Sequence, residues 1–326
     1  MDQRSAGVRD IARHAGVSPA TVSRALRDGT PVSAGTRERV RRAAASLGYS
    51  VPVRALTVAV LARFPGRWFF AEAIGGVERV LSAAGHATQL HNVGDPVARA
   101  HFFTTLPVRG RVDGLIVVAS AIDDDERVAL DALGIPVVAV GGAMPGRRRI
   151  GIDDRAGARA AVRHLVGLGH TGVALVSFDP DEACGRATTR DRRAGWADAL
   201  TEAGLEPGPV CEAGSDVEAG AAAAGELLSL PRRPTAVFAM SDELGVGVLG
   251  TLRRAGVRVP GQVSVIGFDG HEMAPVADLT TIAQPVRRQG ELAAEALLAL
   301  LAGDEPESVE LPTRLVVRGT TAPPSH

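Results

Sequence analysis

The sequence predicts an α/β protein, with a three-helix helix-turn-helix segment at its front followed by two doubly wound parallel-sheet lobes. Three observations carry this. A chain of 326 residues, 45% hydrophobic and 22% charged, exceeds the roughly 250 to 300 residues at which a single core stops growing. Residues 8 to 47 place apolar side chains at helical spacing in three short pieces. From Thr57 onward, continuous apolar runs alternate with amphipathic stretches, as in a parallel sheet covered on both faces.

The front unit, residues 1–54, opens with Val8, Ile11, Ala12 and Ala15 on one helix face; Gly16 then supplies the positive backbone angle of a tight turn. Ser18 as N-cap and Pro19 at the first helical position start a second helix that runs to about Leu26. The polar stretch RDGTPV is a loop. Ser33 caps a third helix with Val40, Ala43, Ala44 and Leu47 facing inward, and Gly48 closes it. So small a unit buries little area, so its alanines must let the helices pack closely.

The second unit, residues 55–326, offers eight strands: TVAVLA (57–62), ATQLHNV (87–93), GLIVVA (114–119), PVVAVG (136–141), GVALVS (172–177), PVCEAG (209–214), AVFAM (236–240) and VSVIGF (263–268). AEAIGGVERVLSAAG, ERVALDALG, ARAAVRHLVGLG, WADALTEAG and ELGVGVLGTLRRAG read as the helices between them. The change of lobe falls near Ile152, where RRRIGIDD interrupts the alternation and Asp153 or Asp154 caps the next helix. No repeat of solenoid period occurs.

The formal net charge of -1 hides a segregation: residues 1–54 hold 10 arginines against 4 acidic residues, and the remainder is net acidic. A basic front on an acidic body suits a unit drawn to phosphates while the rest of the chain is repelled. All 36 basic residues are arginine, which excludes a Walker A lysine and a Schiff-base lysine. Cys184 and Cys211 lack CxxC spacing, so neither a disulfide framework nor a structural zinc is expected. The first residues, MDQRSAGVRDIARHAG, have no apolar core of signal-peptide length, and no apolar run approaches the roughly 18 residues of a membrane span; a cytoplasmic protein is expected.

The stretch VRDIARHAGVSPATVSRALRDGTPVSAGTRERVRRAAASLGY has helix-turn-helix geometry with a supporting third helix. Its second helix carries Pro19, Ala20, Thr21, Ser23 and Arg24 outward, all compact enough for a major groove about 12 Å wide. Arg24 suits a bidentate pair with guanine, and Ala20 suits a thymine methyl. A solvated basic face on a small helical cap is the bland alternative.

The run DIARHAGVSPATVSRAL, with VSAGTRERV and LGY behind it, resembles the LacI/GalR family of bacterial transcription regulators. The resemblance continues through DDRAGARAAVRHLVGLGHTGVALV, RRAGWADALTEAGL, PTAVFAMSDELGVGVLGTLRRAGVRVPGQVSVIGFDG and LTTIAQP. It implies a DNA-reading headpiece on a periplasmic-binding-protein-like core, a homodimer on a roughly palindromic operator DNA, and a repressor controlled by a small polar effector, a sugar or sugar derivative. The same resemblance assigns lobe 1 to about 57–152 and 283–309, and lobe 2 to about 153–282 and 310–321. It carries base reading to Pro19, Ala20 and Arg24, and phosphate contacts to Ser18, Thr21, Ser23, Ser33 and Thr36. Members of the family join the two parts by a hinge helix that inserts leucines into the minor groove. Here only YSVPVRAL separates Gly48 from Thr57, Pro52 disfavours helix before it, and Leu56 is the leucine available.

In two doubly wound lobes, ligands bind between the carboxyl ends of the strands. Asp242 follows AVFAM and Asp269 follows VSVIGF, so both carboxylates are placed to accept from vicinal hydroxyls. Arg192, four residues before Trp196, matches the family's effector-contacting arginine, whose fork donates where carboxylates accept. Phe64, Trp68, Phe69 and Phe70 cluster after the first strand, and Trp68, Phe69 and Phe70 are expected as effector walls. Ser241, also expected as an effector contact, stands where the family often has asparagine, and Gly141 where some sugar-responsive members place an aspartate.

Two other classes compete. GVGVLG (245–250) matches a dinucleotide fingerprint, but SDEL separates it from its strand, so its glycines fall inside a helix and serve packing. No cofactor is expected, nor a metal. The histidines are scattered, with no HExxH or GxSxG, so no enzyme is expected. An exported sugar-binding protein would share the core but not the helix-turn-helix.

Overall fold

The computed structural model describes residues 7–26, 32–47, 49, 55–109, 112–142, 144–179 and 186–325. The loop at 27–31, Gly48, the linker at 50–54 and Cys184, each singled out in the sequence, lie outside the described residues. The chain divides into two units, Met1–Ala55 and Leu56–His326.

In the first unit, α1 (Val8–Ala15), α2 (Pro19–Ala25) and α3 (Ala34–Ser46) close on Ile11, Ala12, Val22, Ala25, Val40, Ala43 and Ala44. Gly16 ends α1 at φ 66°, a conformation that glycine adopts without a Cβ clash. Ser18 Oγ accepts from Thr21 N at 3.1 Å and Ser33 Oγ from Thr36 N at 3.3 Å, each cap contributing about 1 kcal/mol.

The second unit holds two six-stranded sheets. Lobe 1 contains β1 (Thr57–Ala62), α4 (Trp68–Ala83), β2 (Ala87–Asn92), α5 (Pro96–Arg109), β3 (Gly114–Val118), α6 (Asp124–Ala132), β4 (Val137–Val140) and β5 (Arg148–Ile152). Lobe 2 follows with α7 (Asp154–Gly167), β6 (Val173–Phe178), α8 (Arg186–Glu202), β7 (Val210–Ala213), α9 (Val217–Ser229), β8 (Ala236–Ala239), α10 (Asp242–Arg254), β9 (Ser264–Asp269), α11 (Ala274–Ala277) and β10 (Thr280–Ala283). The chain then returns to lobe 1 as α12 (Val286–Ala302) and β11 (Val309–Leu311), and crosses again to place β12 (Arg314–Val316) on lobe 2. The orders are β11-β5-β4-β3-β1-β2 and β12-β10-β9-β8-β6-β7, parallel except for β12. Three crossings therefore tie the lobes, and the carboxyl ends of both sheets supply the loops between them.

Four strands were not legible as such. RRIGI, read above as an interruption, is β5: Ile150, Gly151 and Ile152 are buried and pair with β4 or β11. Two arginines at its start mask it, and Arg149 folds back to donate to Gly141 O at 2.7 Å and Ile152 O at 2.6 Å. The short β10, β11 and β12 carry threonines, acids or an arginine rather than a continuous apolar run.

Helix pairs in both lobes meet at glycines. A Cβ on Gly247 of α10 would lie 2.0 Å from Val217 O of α9, and one on Gly220 would lie 2.3 Å from Leu244 O. Gly76 of α4 and Gly290 of α12 meet the partner backbone in the same way at 2.2 and 2.0 Å, as does Gly195 of α8 against Arg155 O of α7 at 2.2 Å. Gly245, Gly247 and Gly250 thus lie inside α10, where two of them face neighbouring elements closely; they do not form a turn beneath a pyrophosphate. His170 is similarly structural, facing Thr235 Oγ1 at 3.0 Å and Ala322 O at 2.9 Å, and it pins the carboxyl-terminal segment to lobe 2.

Gly247→Ala should cost about 1–3 kcal/mol, because α9 and α10 must separate to admit the methyl group. Gly225→Ala, on the open side of α9 with nothing within 4 Å of the new Cβ, should gain about 0.5–1 kcal/mol. Urea unfolding of the two variants checks both signs.

Candidate functional site

On α2, Val22 and Ala25 point into the core, which leaves Pro19, Ala20 and Arg24 exposed as a stripe on the opposite face. Ser18 and Thr21 pair through their hydroxyls at 2.8 Å, and Ser33 and Thr36 at 2.9 Å, each at a helix start where backbone N–H groups favour an anion. Ser23 is half-buried. Arg24 Nε reaches Ala20 O at 3.4 Å, so its guanidinium lies along the exposed face of the helix. The structure thus gathers the residues expected to read bases on one face, and four of the five expected to hold phosphates, Ser18, Thr21, Ser33 and Thr36, at two helix N-termini; Ser23 lies further along α2.

Between the lobes lies a cavity whose empty space, counted with the open solvent at its mouth, is about 690 Å³. Phe69 and Phe70 of α4, Ala119 after β3, Gly141 after β4 and Ile152 at the end of β5 form its wall on lobe 1. Phe178, Ser215, Ser241, Glu243 and Asp269 come from the carboxyl ends of the lobe 2 strands and the elements that follow, and Gln284 and Gln289 from the crossing into α12. Ala119 and Asp269 have φ of 41° and 114°, so two of the three described non-glycine residues with positive φ line this cavity. Backbone strain of this kind concentrates at functional sites.

Arg192 forms the floor. It is buried, and three of its nitrogens are engaged: Nε donates to Asp154 Oδ1 at 2.8 Å, Nη1 to Met240 O, and Nη2 faces Asp269 Oδ1 at 3.2 Å. The guanidinium also lies 3.7 Å from the centre of the Phe268 ring. Gly195 seats α8 closely on α7, which brings Arg192 within reach of Asp154 at the start of α7, while Asp153 caps that helix by accepting from Ala156 N at 2.8 Å. Burial pushes Asp269 up to about 6, against the opposing pull of Arg192 and the Gln284 amide.

Several expectations are corrected. Asp242 does not line the cavity. It is fully buried at the start of α10 and turns towards β9 and β10, accepting from His271 N at 2.7 Å and Thr281 Oγ1 at 2.6 Å. Burial and the charge of Asp269 push it up to about 8. Ser241, one residue earlier, reaches the cavity while capping α10 through Leu244 N at 3.2 Å. Trp68 is also off the cavity wall: its ring lies 4.9 Å from that of His271 on the other lobe, at 33°. Phe64 packs edge-on to Phe70 behind that wall. Leu56 is half-buried ahead of β1, its carbonyl accepting from Ala87 N at 2.8 Å, as a strand lead-in does.

Sequence reasoning missed Arg67, Asp154, Gln284 and Gln289. Arg67, at the N-cap of α4 in lobe 1, crosses the cleft to Ser215 Oγ, Ser215 O and Glu243 on lobe 2. Gln284 lies in the quoted LTTIAQP and Asp154 in IDDR. Gln289 is a polar residue on the otherwise apolar stripe of α12, which a periodicity count could have flagged.

Comparison with known proteins adds to this geometry. Residues 8–51 match the model described as bacterial regulatory proteins, lacI family, and residues 162–321 match a periplasmic binding protein-like domain. The HTH-type transcriptional repressor PurR of Vibrio campbellii is 32% identical over 97% of this chain and 98% of its own length. A structure of the transcriptional regulator CelR–cellobiose complex aligns over 97% of this chain and 99% of its own, with 31% identity and a TM-score of 0.73. The lac repressor dimer bound to operator and the anti-inducer ONPF aligns over 98% and 100%, with 27% identity and a TM-score of 0.75.

Arg192→Met removes the partner of two buried carboxylates and should destabilise the second unit by about 3–5 kcal/mol. Denaturant unfolding measures it; a loss below about 1 kcal/mol, the scale of an exposed pair, would contradict the buried arrangement.

Proposed function

The chain belongs to the lacI family of bacterial regulatory proteins, and from that premise we propose how its two units divide the work. It is a DNA-binding transcriptional repressor with a core that takes a small-molecule effector. The first unit reads an operator in the major groove through Pro19, Ala20 and Arg24. Ser18, Thr21, Ser23, Ser33 and Thr36 hold phosphates and set the register without carrying sequence information. The exposed stripe of α2, set against its buried Val22 and Ala25, is the observation that carries this reading. The excess of arginine in residues 1–54 adds a sequence-independent attraction that weakens with salt.

The chain acts as a homodimer, so that two headpieces meet two half-sites of a near-palindrome. It works in the cytoplasm, where its DNA is, and it carries out no catalysis. None of its helices among the described residues is long and apolar enough to cross a membrane. The effector is a carbohydrate or close derivative. The aromatic wall of Phe69 and Phe70 opposite the polar floor of Arg192, Asp269, Gln284 and Ser241 supports this, since a sugar offers an apolar C–H face and a hydroxylated edge. The effector shifts operator affinity only by the difference in its affinity for the two lobe arrangements.

Arg24→Ala should lose about 1–3 kcal/mol of discrimination between the operator and a variant altered at the base pair it reads, with little change on unrelated DNA. Gel-shift titrations on the three duplexes test it. An equal loss on all of them would make Arg24 a phosphate contact.

A further inference from the structure

Arg63 Nε, Thr189 Oγ1 and Gln289 Oε1 are buried side-chain polar atoms without a partner among the described residues, and of these three only the last belongs to a residue lining the cavity. Its position closes a chain of amides. Gln284 Nε2 donates to Asp269 Oδ1 at 2.7 Å, and Gln289 Nε2 donates to Gln284 Oε1 at 2.8 Å. The polarity of this chain is fixed from one end. An ionised carboxylate only accepts, so Gln284 must turn its NH2 to Asp269 and its oxygen to Gln289; Gln289 must then answer with its own NH2. Rotating either amide would set oxygen against oxygen. The carbonyl oxygen of Gln289, on α12 of lobe 1, is the one group for which the chain has no donor, and an unsatisfied buried acceptor stays costly until one arrives.

The charges lining the cavity point the same way. Its two cations are both occupied: Arg192 by Asp154 and Asp269, and Arg67 by Ser215 and Glu243. Three carboxylates face these two guanidinium groups. An anionic ligand would meet an excess of negative charge among the described lining residues, whereas a hydroxyl donor would supply the partner that Gln289 Oε1 lacks.

We infer that Gln289 is a ligand-reading residue, and that the cavity selects an uncharged, hydroxyl-rich ligand that donates to Gln289 Oε1 while excluding phosphorylated or carboxylated relatives. This rests on the reading of the cleft as a carbohydrate site and narrows it to one charge class. Because Gln284 and Gln289 sit on the crossing between lobes, a donor at Gln289 joins the wall of lobe 1 to Asp269 of lobe 2 through a continuous run of hydrogen bonds. Ligand discrimination and lobe contact thereby share the same residues.

The test is calorimetric titration of the full chain and its Q289M variant at pH 7.5, above the value at which Asp269 takes up a proton, with D-ribose, D-glucose, cellobiose and D-ribose 5-phosphate as probes. A neutral sugar should bind the wild type, bind Q289M at least about tenfold more weakly, and outcompete the phosphate ester. An unchanged far-ultraviolet circular dichroism spectrum and a cooperative thermal transition establish that the variant is folded. A crystal structure of the wild type with the bound sugar should place a hydroxyl within hydrogen-bond distance of Gln289 Oε1. Equal sugar binding by Q289M, or a bound sugar that leaves Oε1 unpaired, would overturn the role of Gln289 while leaving the cleft as the binding site. Tighter binding of ribose 5-phosphate would overturn the charge selection. Failure of every neutral sugar to bind the wild type would remove the carbohydrate reading beneath both.

Discussion

Burying one guanidinium imposes most of the order seen in the cleft. A charge taken out of water is costly unless it is paired and hydrogen-bonded, and Arg192 meets that demand with a carboxylate from the start of α7, a carbonyl after β8 and a carboxylate at the end of β9. These groups come from separate segments of lobe 2, so the ion triad fixes their relative positions. Asp269, held there at a positive φ, in turn orients Gln284 and then Gln289, and so one buried ion sets the hydrogen-bond polarity of side chains on the other lobe. Three of its five N–H donors are engaged before any ligand arrives.

Closure across the cleft uses a second arginine. Arg67 of lobe 1 reaches Ser215 and Glu243 of lobe 2, and near it Trp68 stacks on His271. Half-buried contacts of this kind hold modestly, because the charges remain partly solvated. A modest latch is what a switch requires. The two lobe arrangements must differ by only a few kcal/mol for a small molecule to move the balance between them.

Much of this was legible in the sequence. The caps Ser18 and Ser33 and the turn at Gly16 follow from short-range rules, and the apolar runs of β1, β3, β6, β8 and β9 mark strands buried on both faces. What escaped did so for identifiable reasons. β5 begins with two arginines, of which Arg149 reaches back to Gly141 and Ile152, a tertiary contact that local hydropathy cannot register. Asp242 and Ser241 are adjacent at a helix start, and which of them faces the cleft depends on where α10 points, so spacing alone placed the carboxylate on the wrong side. Trp68 and Phe69 differ in the same way, one set against His271 of the other lobe and the other on the cavity wall. The fingerprint-like glycines of α10 gave the reverse lesson: their position within a helix already marked them as packing residues, and the close approach of α9 supplies the reason.

The link between cleft and operator is the claim on which the regulatory reading stands, and it can be probed without knowing the effector. Arg67→Met removes all three cross-lobe hydrogen bonds of that side chain while leaving Arg192 and its carboxylates in place. Paired spin labels on exposed positions of lobe 1 and lobe 2 would report the inter-lobe distance by double electron–electron resonance, and operator affinity of the same protein would be measured at fixed salt. The distance distribution should broaden to longer separations and operator affinity should change with it. Lobes that open while operator affinity stays at the wild-type value would contradict the coupling.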